Sequence, residues 1–155
     1  MQLRKYRGKL LIKPSQKSIK SITQRLKVIV SKAKSWTQDE LIKTLNPVIR
    51  GWTNYHRHIV AKDTFRKLDS YLWEITWQWG KRRHPNKGHK WIANKYWASE
   101  GTRKWIFQTK ETKLLKFSDT KIRRHSLPKL DANPYLNRQY FLERKDRIKR
   151  QAPWI

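Results

Sequence analysis

The side chains of this chain that could do chemistry are five histidines and eleven carboxylates, since cysteine is absent. The histidines are His56, His58, His84, His89 and His125. A two-metal nuclease or polymerase site needs at least two carboxylates that converge on a divalent cation. The acidic residues are scattered along the chain, and the pair His84 and His89 spans proline and glycine without acidic support. We therefore predict no catalytic site, no metal site and no cofactor.

The numbers of glycine and cysteine residues exclude further kinds of functional site. The five glycines do not cluster, so no glycine-rich phosphate-binding loop is present. Without cysteine the chain has neither disulfides nor thiolate zinc ligands. We therefore expect stability to come from packing alone, and we expect no active site within these residues.

The charge of the chain indicates what it binds. Lys and Arg number 38 against 11 Asp and Glu, which gives a formal net charge of +27. Self-repulsion works against a compact state unless an anionic partner or salt screens it, so nucleic acid is the favoured partner. No stretch approaches the roughly 20 apolar residues that span a bilayer, and residues 1–11 lack the pattern of a secretory signal. We expect no membrane partner and a location in the bacterial cytoplasm or nucleoid.

Three consecutive segments carry apolar residues at helical spacing. Ser15 can cap the first helix, residues 37–40 (TQDE) form a capping box for the second, and the third runs from about residue 63 to 83. Asn46-Pro47 either kinks the second helix or begins a new one. The apolar positions are Ile19, Ile22, Leu26, Ile29, Ala33 and Trp36, then Leu41, Leu45, Val48, Trp52, Tyr55 and Ile59, then Phe65, Leu68, Leu72, Ile75 and Trp79. Their short connections predict a mainly α fold based on a three-helix bundle.

The sequence changes in texture after the third helix. Residues 84–90 contain proline, glycine and basic residues and predict a basic hinge between a helical bundle at 1–83 and a basic segment at 91–155. In that segment we expect a short helix near 91–97, short strands at 104–108, 113–117 and 120–125, and a terminal helix through 140–142. The fold class is therefore mainly α, with a small mixed α/β or irregular basic segment after the bundle.

Aromatic residues alternate with basic ones in this second half. Aromatic rings can stack on unpaired bases while Lys and Arg follow the phosphate backbone. Trp91, Tyr96, Trp97 and Trp105 could act in this way, or could simply belong to the core. Trp36, Trp52 and Trp79, by contrast, are predicted to be core residues.

Four sequence strings occur in a characteristic order: residues 9–15 (KLLIKPS), 45–55 (LNPVIRGWTNY), 65–69 (FRKLD) and 79–87 (WGKRRHPNK). They resemble the maturase-specific region of proteins encoded by group II introns, which follows the reverse transcriptase palm. Residues 105–107 (WIF), 122–125 (IRRH) and 132–135 (ANPY) resemble the segment that comes next in bacterial members. The resemblance covers nearly the whole chain.

The resemblance implies a thumb-like helical bundle that grips intron RNA, helps it fold for splicing and supports reverse transcription during retrohoming. It also implies contact of the later segment with target DNA. The sequence has neither the Tyr-Ala-Asp-Asp polymerase motif nor the cysteine-containing His-Asn-His endonuclease. We therefore expect a noncatalytic RNA-binding maturase domain, with group II intron RNA as partner, and target DNA and a separate reverse transcriptase polypeptide as further candidate partners.

The resemblance and the basic character of the chain together give two sets of expected contacts. The RNA-binding set is Lys13, Lys17, Lys20, Arg50, Arg57, His58, Lys62, Lys81, Arg82, Arg83, His84 and Lys87. Further nucleic-acid contacts are expected at Trp91, Lys95, Trp97, Arg103, Lys104, Arg123, Arg124 and His125. Arg50 stands beside Gly51, whose missing side chain would let a backbone approach closely. About half of the RNA-binding set are expected to be unspecific neighbours of phosphate groups.

Alternative interpretations remain open at this point. Clustered Lys and Arg would also suffice for a standalone architectural protein that binds DNA or RNA without regard to fold. The chain could instead be the thumb subunit of a split reverse transcriptase, which becomes active when a separate palm polypeptide docks. It could also be a piece of a longer protein, or a decayed remnant without a selected role.

Overall fold

The computed structural model describes residues 1–6, 8–123, 128–129 and 131–151. The chain divides into two compact units, Met1–Arg124 and His125–Ile155. The first unit contains β1 (Gln2–Tyr6), β2 (Lys9–Lys13), α1 (Gln16–Lys32), α2 (Gln38–His56), α3 (Lys62–Arg83), α4 (His89–Tyr96), β3 (Trp97–Glu100), β4 (Arg103–Phe107) and a 3-10 turn (Phe117–Asp119). The second contains α5 (Arg138–Gln151). The mainly α fold predicted from the sequence is confirmed.

Helices α1, α2 and α3 begin where local sequence signals predict and pack around one core. The Ser15 hydroxyl accepts from the Ser18 backbone N–H at 3.2 Å, which caps α1. Thr37 and Glu40 form the predicted capping box of α2. The buried side chains of the bundle include Ile22, Leu26, Val30, Leu41, Ile42, Leu45, Ile49, Phe65, Leu68, Leu72, Ile75 and Trp79. The three-helix bundle is therefore confirmed.

Helix α2 passes through Pro47 as one element, which answers the question left open by Asn46-Pro47. Its buried face is rotated from the predicted one, because Ile42, Ile49 and His56 are buried while Tyr55 is 64% exposed. The assignment of Tyr55 to the core was therefore wrong. The apolar spacing was counted correctly, but α2 packs against α1 and the 3-10 turn, and its Trp52 ring also contacts Phe65 of α3. Its buried face is therefore wider than a single stripe.

The two sheets are small antiparallel hairpins. In the first, Gln2 pairs with Lys13 and Tyr6 with Lys9 around a turn that contains Gly8, whose φ of 77° suits glycine. In the second, β3 pairs with β4 and the register shifts between Ala98 and Glu100. The strand expected at 104–108 is thus confirmed.

The strand predicted at 113–117 was wrong. Lys113 forms one isolated bridge with Gln108, and the chain then enters the 3-10 turn. Residues 120–123 form no strand either, and the rest of that prediction, Arg124 and His125, lies outside the described residues. The reason is tertiary: side chains of the bundle bond to this backbone. The Asn46 amide donates to the Lys113 carbonyl and accepts from the Leu115 N–H, both at 2.9 Å.

The close contact between α3 and α4 depends on Gly80. A Cβ at this position would lie 3.2 Å from Cγ2 of the buried Ile92. The two helices can therefore approach with only the five-residue connection 84–88 between them. Helix α4 confirms the short helix expected near 91–97.

The second unit confirms the terminal helix. Before α5, the Asn137 side-chain oxygen accepts from the Asn133 N–H, and the Asn137 N–H donates to the Asn133 carbonyl, so the turn is closed from both sides. The Tyr140 hydroxyl accepts from the Lys129 N–H at 3.0 Å. Across the described parts of both units, no helix is long and apolar enough to cross a membrane.

Candidate nucleic-acid interface

One strongly basic surface lies where α3 ends and α4 begins. We call it the α3–α4 basic surface and define it by the exposed side chains of Lys81, Arg82, Lys87, Trp91 and Lys95. Positive residues in the last turn of a helix are favoured by the partial negative charge of its terminal carbonyl groups. The sequence therefore places a cluster of positive charge here without destabilising α3.

Trp91 organises part of this surface. Its ring is 40% exposed, and the ammonium groups of Lys87 and Lys95 lie 5.4 and 4.8 Å from the ring centroid. Cations over an indole face are attracted by the ring quadrupole. Two positive charges are thus held beside an exposed aromatic ring, an arrangement suited to a phosphate and an adjacent base.

Arg83 and His84 were predicted to bind RNA, and their side chains also have structural contacts. The Arg83 guanidinium donates to the backbone carbonyls of Lys34 and Trp36, at 3.2 and 2.5 Å. The His84 ring Nε2 lies 2.6 Å from the Tyr96 hydroxyl. Burial, and then the nearby positive charges of Lys95, Arg83 and Lys87, lower the pKa of His84. The structural contacts of Arg83 were not foreseen from the sequence, because both carbonyls lie far from it along the chain.

A second basic surface runs along α1. Lys17, Lys20 and Arg25 are exposed, and a shallow groove lies between Lys17, Arg25 and the half-buried Trp52. The Trp52 indole N–H donates to the Ser18 hydroxyl at 3.2 Å, which fixes the wall of this groove. On α2, Arg50 and Gly51 are exposed, and nothing lies within 4 Å of a Cβ built on Gly51.

The predicted RNA contacts at and after the end of α2 are Arg57, His58 and Lys62, and they bond to residues 118–123. The Arg123 N–H donates to the Arg57 carbonyl at 2.8 Å, and His58 Nδ1 lies 3.3 Å from the Arg123 carbonyl. The Lys62 ammonium donates to the Ser118 carbonyl at 2.7 Å. These basic residues therefore join residues 118–123 to the bundle. Lys13 is half-buried at the end of β2.

The nucleic-acid contacts expected beyond residue 90 include both buried and exposed side chains. Trp97 is only 7% exposed and Tyr96 is buried, whereas Trp91 and Trp105 are exposed. Arg103 forms an ion pair with Asp119 at 3.0 Å, and Lys104 is exposed. Arg124 and His125 lie outside the described residues.

Two tryptophans of α3 that were not among the predicted contacts form an aromatic pair, in which Trp73 is exposed and Trp77 is half-buried. The rings of Trp73 and Trp77 stack with 5.6 Å between centroids and 8° between planes. Their spacing of four residues, on a different face from the core positions of α3, is the signal that could have revealed them. No group of three or more His, Asp or Glu side chains that could hold a metal ion occurs in the described ranges.

Comparison with known proteins identifies the helical part of the chain. A family model described as "group II intron, maturase-specific domain" matches residues 19–97. The match extends from the first turn of α1 to the first residue of β3 and so includes the α3–α4 basic surface. Comparison with curated proteins gives no match.

Proposed function

Since the chain belongs to the group II intron maturase-specific domain family, we propose that it binds the RNA of a group II intron and assists the folding that splicing requires. The matched region is the maturase-specific domain and not the catalytic palm of a reverse transcriptase. The chain would therefore act by binding, and any retrohoming role would require a catalytic polypeptide.

One observation carries this proposal: the family match contains an exposed indole ring with two lysine ammonium groups over it, next to two further exposed cations at the end of α3. Lys87 and Lys95 lie over the Trp91 ring. Lys81 and Arg82 are exposed in the last turn of α3. Folded RNA offers both partners, phosphates along its backbone and unpaired bases in loops and bulges. Duplex DNA offers phosphates but no unpaired base, so the ring supports a preference for RNA.

A competition titration tests the proposal. The labelled ligand is a group II intron RNA folded with Mg²⁺, at about 150 mM salt, where exposed charges are partly screened. The competitors are the same RNA with its sequence scrambled and a DNA duplex of equal length. We expect the folded intron to compete much more strongly than the other two. Equal competition by all three would mean a general binder of polyanions and would overturn the proposal.

A charge-matched pair of variants locates the contact. The test variant combines Arg82→Gln, Lys87→Gln and Lys95→Gln in the α3–α4 basic surface. The control combines Lys67→Gln, Lys110→Gln and Lys121→Gln, three exposed cations outside the predicted contacts. Both variants lose three charges, so general electrostatic attraction falls equally. We expect the test variant to lose more affinity for the folded intron; an equal loss in both would contradict the location.

Target DNA and a separate reverse transcriptase polypeptide remain proposed partners. The first unit bears basic side chains after the matched range, among them the predicted contacts Arg103 and Lys104, which would suit DNA phosphates. If the chain is a thumb subunit, primer extension by a palm polypeptide should rise when the chain is added. No primer extension is expected from the chain alone.

A further inference from the structure

The first unit has a further groove, distinct from the α3–α4 basic surface and from the α1 groove. Tryptophan rings and lysine side chains line it. It has a volume of about 380 Å³. Its walls come from α3, from β4 and from residues 114–118, and they include Trp73, Trp105, Lys104 and Lys116. This volume lies near the lower end of the range for small-ligand pockets, about 300–1,000 Å³.

We propose that this groove, called the Trp73–Trp105 groove below, binds an unpaired base of single-stranded RNA, with Lys104 and Lys116 holding the flanking phosphates. Trp105 and both lysines lie beyond residues 19–97, the range of the family match. The proposal therefore gives a function to a part of the chain that the maturase-specific match leaves without one. It does not depend on which RNA the helical bundle recognises.

The ring geometry supports a stacking site. Trp73 and Trp105 lie nearly perpendicular, at 83°, with 6.5 Å between their centroids. The other partner of Trp73 is Trp77, stacked nearly parallel to it. Trp73 is thereby supported from α3, while Trp105 is 51% exposed and forms the second wall of a corner. A flat base placed in such a corner can stack on one ring and meet the edge of the other.

The backbone at Trp105 holds the ring out of the core. In a regular strand, Trp105 and Phe107 would point to the same face, yet Phe107 is buried and Trp105 is exposed. The change occurs because Trp105 has a φ of 61°, the left-handed region that a bulky residue rarely occupies. The strained backbone and the exposure of a large apolar ring each destabilise the folded state. Residues that carry such costs are found at functional sites.

The charges around the groove select the ligand. Lys104 is exposed and Lys116 is half-exposed. The one carboxylate in the lining, Asp69, accepts from the backbone N–H groups of Phe117 and Ser118, at 2.6 and 3.0 Å. Those two bonds engage both carboxylate oxygens, and two lysines against this one carboxylate leave the lining of the groove with a net positive charge. An apolar peptide would leave Lys104 and Lys116 without partners, whereas an oligonucleotide supplies a ring and two phosphates.

Binding of a short oligonucleotide tests the proposal. The probe is a fluorescein-labelled oligouridylate of eight nucleotides, compared with an abasic oligoribonucleotide of equal length and charge. Loss of one stacked base should weaken binding about 5- to 150-fold. We expect the wild type to bind the oligouridylate more tightly than the abasic probe by a factor in this range. Equal affinity for the two probes would overturn the proposal.

Substitutions assign the preference to Trp105. Trp105→Leu keeps an apolar side chain but removes the flat ring, so we expect the preference for the oligouridylate to fall to the part that the exposed Trp91 ring supplies. Trp105→Phe keeps an aromatic face and should retain most of the preference. Tyr135→Leu is the control, since Tyr135 is an almost fully exposed aromatic residue of the second unit. A Trp105→Leu variant that keeps the full wild-type preference for the oligouridylate, while its circular dichroism matches the wild type, would contradict the assignment.

Cross-linking and salt dependence provide independent readouts. An oligouridylate with 5-iodouridine should, on irradiation, cross-link to the peptides that contain Trp73 or Trp105; cross-links found only in other peptides would exclude the groove. Replacing Lys104 and Lys116 by glutamine should reduce the salt slope of single-strand binding by about 1.4, or 0.7 per phosphate contact. An unchanged slope would exclude the phosphate contacts. A single-stranded DNA octamer in parallel shows whether the 2′-hydroxyl contributes.

Failure of this proposal is distinguishable from failure of the proposed function. Loss of stacking at Trp105 would leave the preference for folded intron RNA over scrambled RNA intact if the α3–α4 basic surface provides it. A general polyanion binder would show no such preference and could still depend on Trp105 for short single strands.

Discussion

The guanidinium of Arg83 lies over the indole ring of Trp79, with 4.8 Å between Cζ and the ring centroid. The same guanidinium bonds to the carbonyls of Lys34 and Trp36, and the Trp79 indole N–H donates to the Ala33 carbonyl at 2.7 Å. Together these two side chains close the end of α1 and the connection to α2. In the sequence, Arg83 is indistinguishable from its neighbours Lys81 and Arg82. In the structure, it is part of the packing of the bundle.

Arg83→Gln and Arg82→Gln should separate stability from binding. Arg83→Gln removes charge-assisted hydrogen bonds to two carbonyls and should lower the free energy of unfolding by about 1.5–3 kcal/mol. Arg82→Gln changes an exposed side chain and should alter it by less than about 0.5 kcal/mol. Urea unfolding measures both values. Equal stability of the two variants would contradict the structural role of Arg83.

Gly51→Ala should stabilise the protein. Gly51 lies within α2, and a Cβ there would meet nothing within 4 Å. Alanine is favoured over glycine inside a helix by about 0.8–1.0 kcal/mol. Thermal or urea unfolding should therefore show a more stable variant. Gly80→Ala is the matched contrast, since its Cβ would crowd the buried Ile92 and should cancel the gain.

The same Gly51→Ala variant tests the predicted approach of an RNA backbone beside Arg50. If RNA passes close to Gly51, the added methyl group should weaken binding to folded intron RNA although the protein is more stable. Titration with that RNA measures the effect. Unchanged affinity would mean that the open space at Gly51 is not used by the ligand.

Asn46→Ala should loosen the segment that carries the Trp73–Trp105 groove. The Asn46 amide makes two hydrogen bonds to the backbone at Lys113 and Leu115. Their loss should lower the free energy of unfolding by about 1–3 kcal/mol, and amide hydrogen exchange should rise around residues 108–118. Thr44→Ala is a control on the same helix, because the Thr44 hydroxyl bonds only within α2. Increased exchange spread evenly over the chain would contradict a local anchor.

Stability should fall as the pH decreases from about 7.5 to 5.5, and His56 should contribute to this. Burial, and secondarily the positive charge of the N-terminus, lower the pKa of His56 below its usual value of 6.5. His56 therefore binds a proton more readily in the unfolded chain than in the folded one. The free energy of unfolding consequently rises with pH in this window and falls on acidification. One such group gives a slope of at most about 1.4 kcal/mol per pH unit.

His56→Gln isolates this contribution. Glutamine can still bond to the Ser18 hydroxyl, which lies 3.1 Å from His56 Nε2, but it does not titrate. The difference in slope between wild type and variant, measured by urea unfolding at several pH values, belongs to His56. His84, whose pKa is also lowered, remains in both proteins and cancels. Identical slopes would show that His56 does not titrate differently in the folded state.

The sequence by itself determined the helical part of the fold. The starts of α1 and α2 follow from the caps Ser15 and Thr37, and the extent of all three helices follows from apolar residues at steps of three and four. Both signals act within a few residues. The net charge likewise follows from composition alone. The ordered strings at 9–15, 45–55, 65–69 and 79–87 were sufficient to indicate the family, which the match at 19–97 confirms.

Only the tertiary structure decided the rest, because it depends on partners distant along the chain. Residues 113–117 have the composition of a strand, but Asn46 and Asp69 hold their backbone in place of a neighbouring strand. Arg83 and Arg82 are adjacent in the sequence, and only the positions of Lys34, Trp36 and Trp79 separate their roles. Local spacing specifies which residues share a face of a helix, whereas contacts between elements determine which faces are covered.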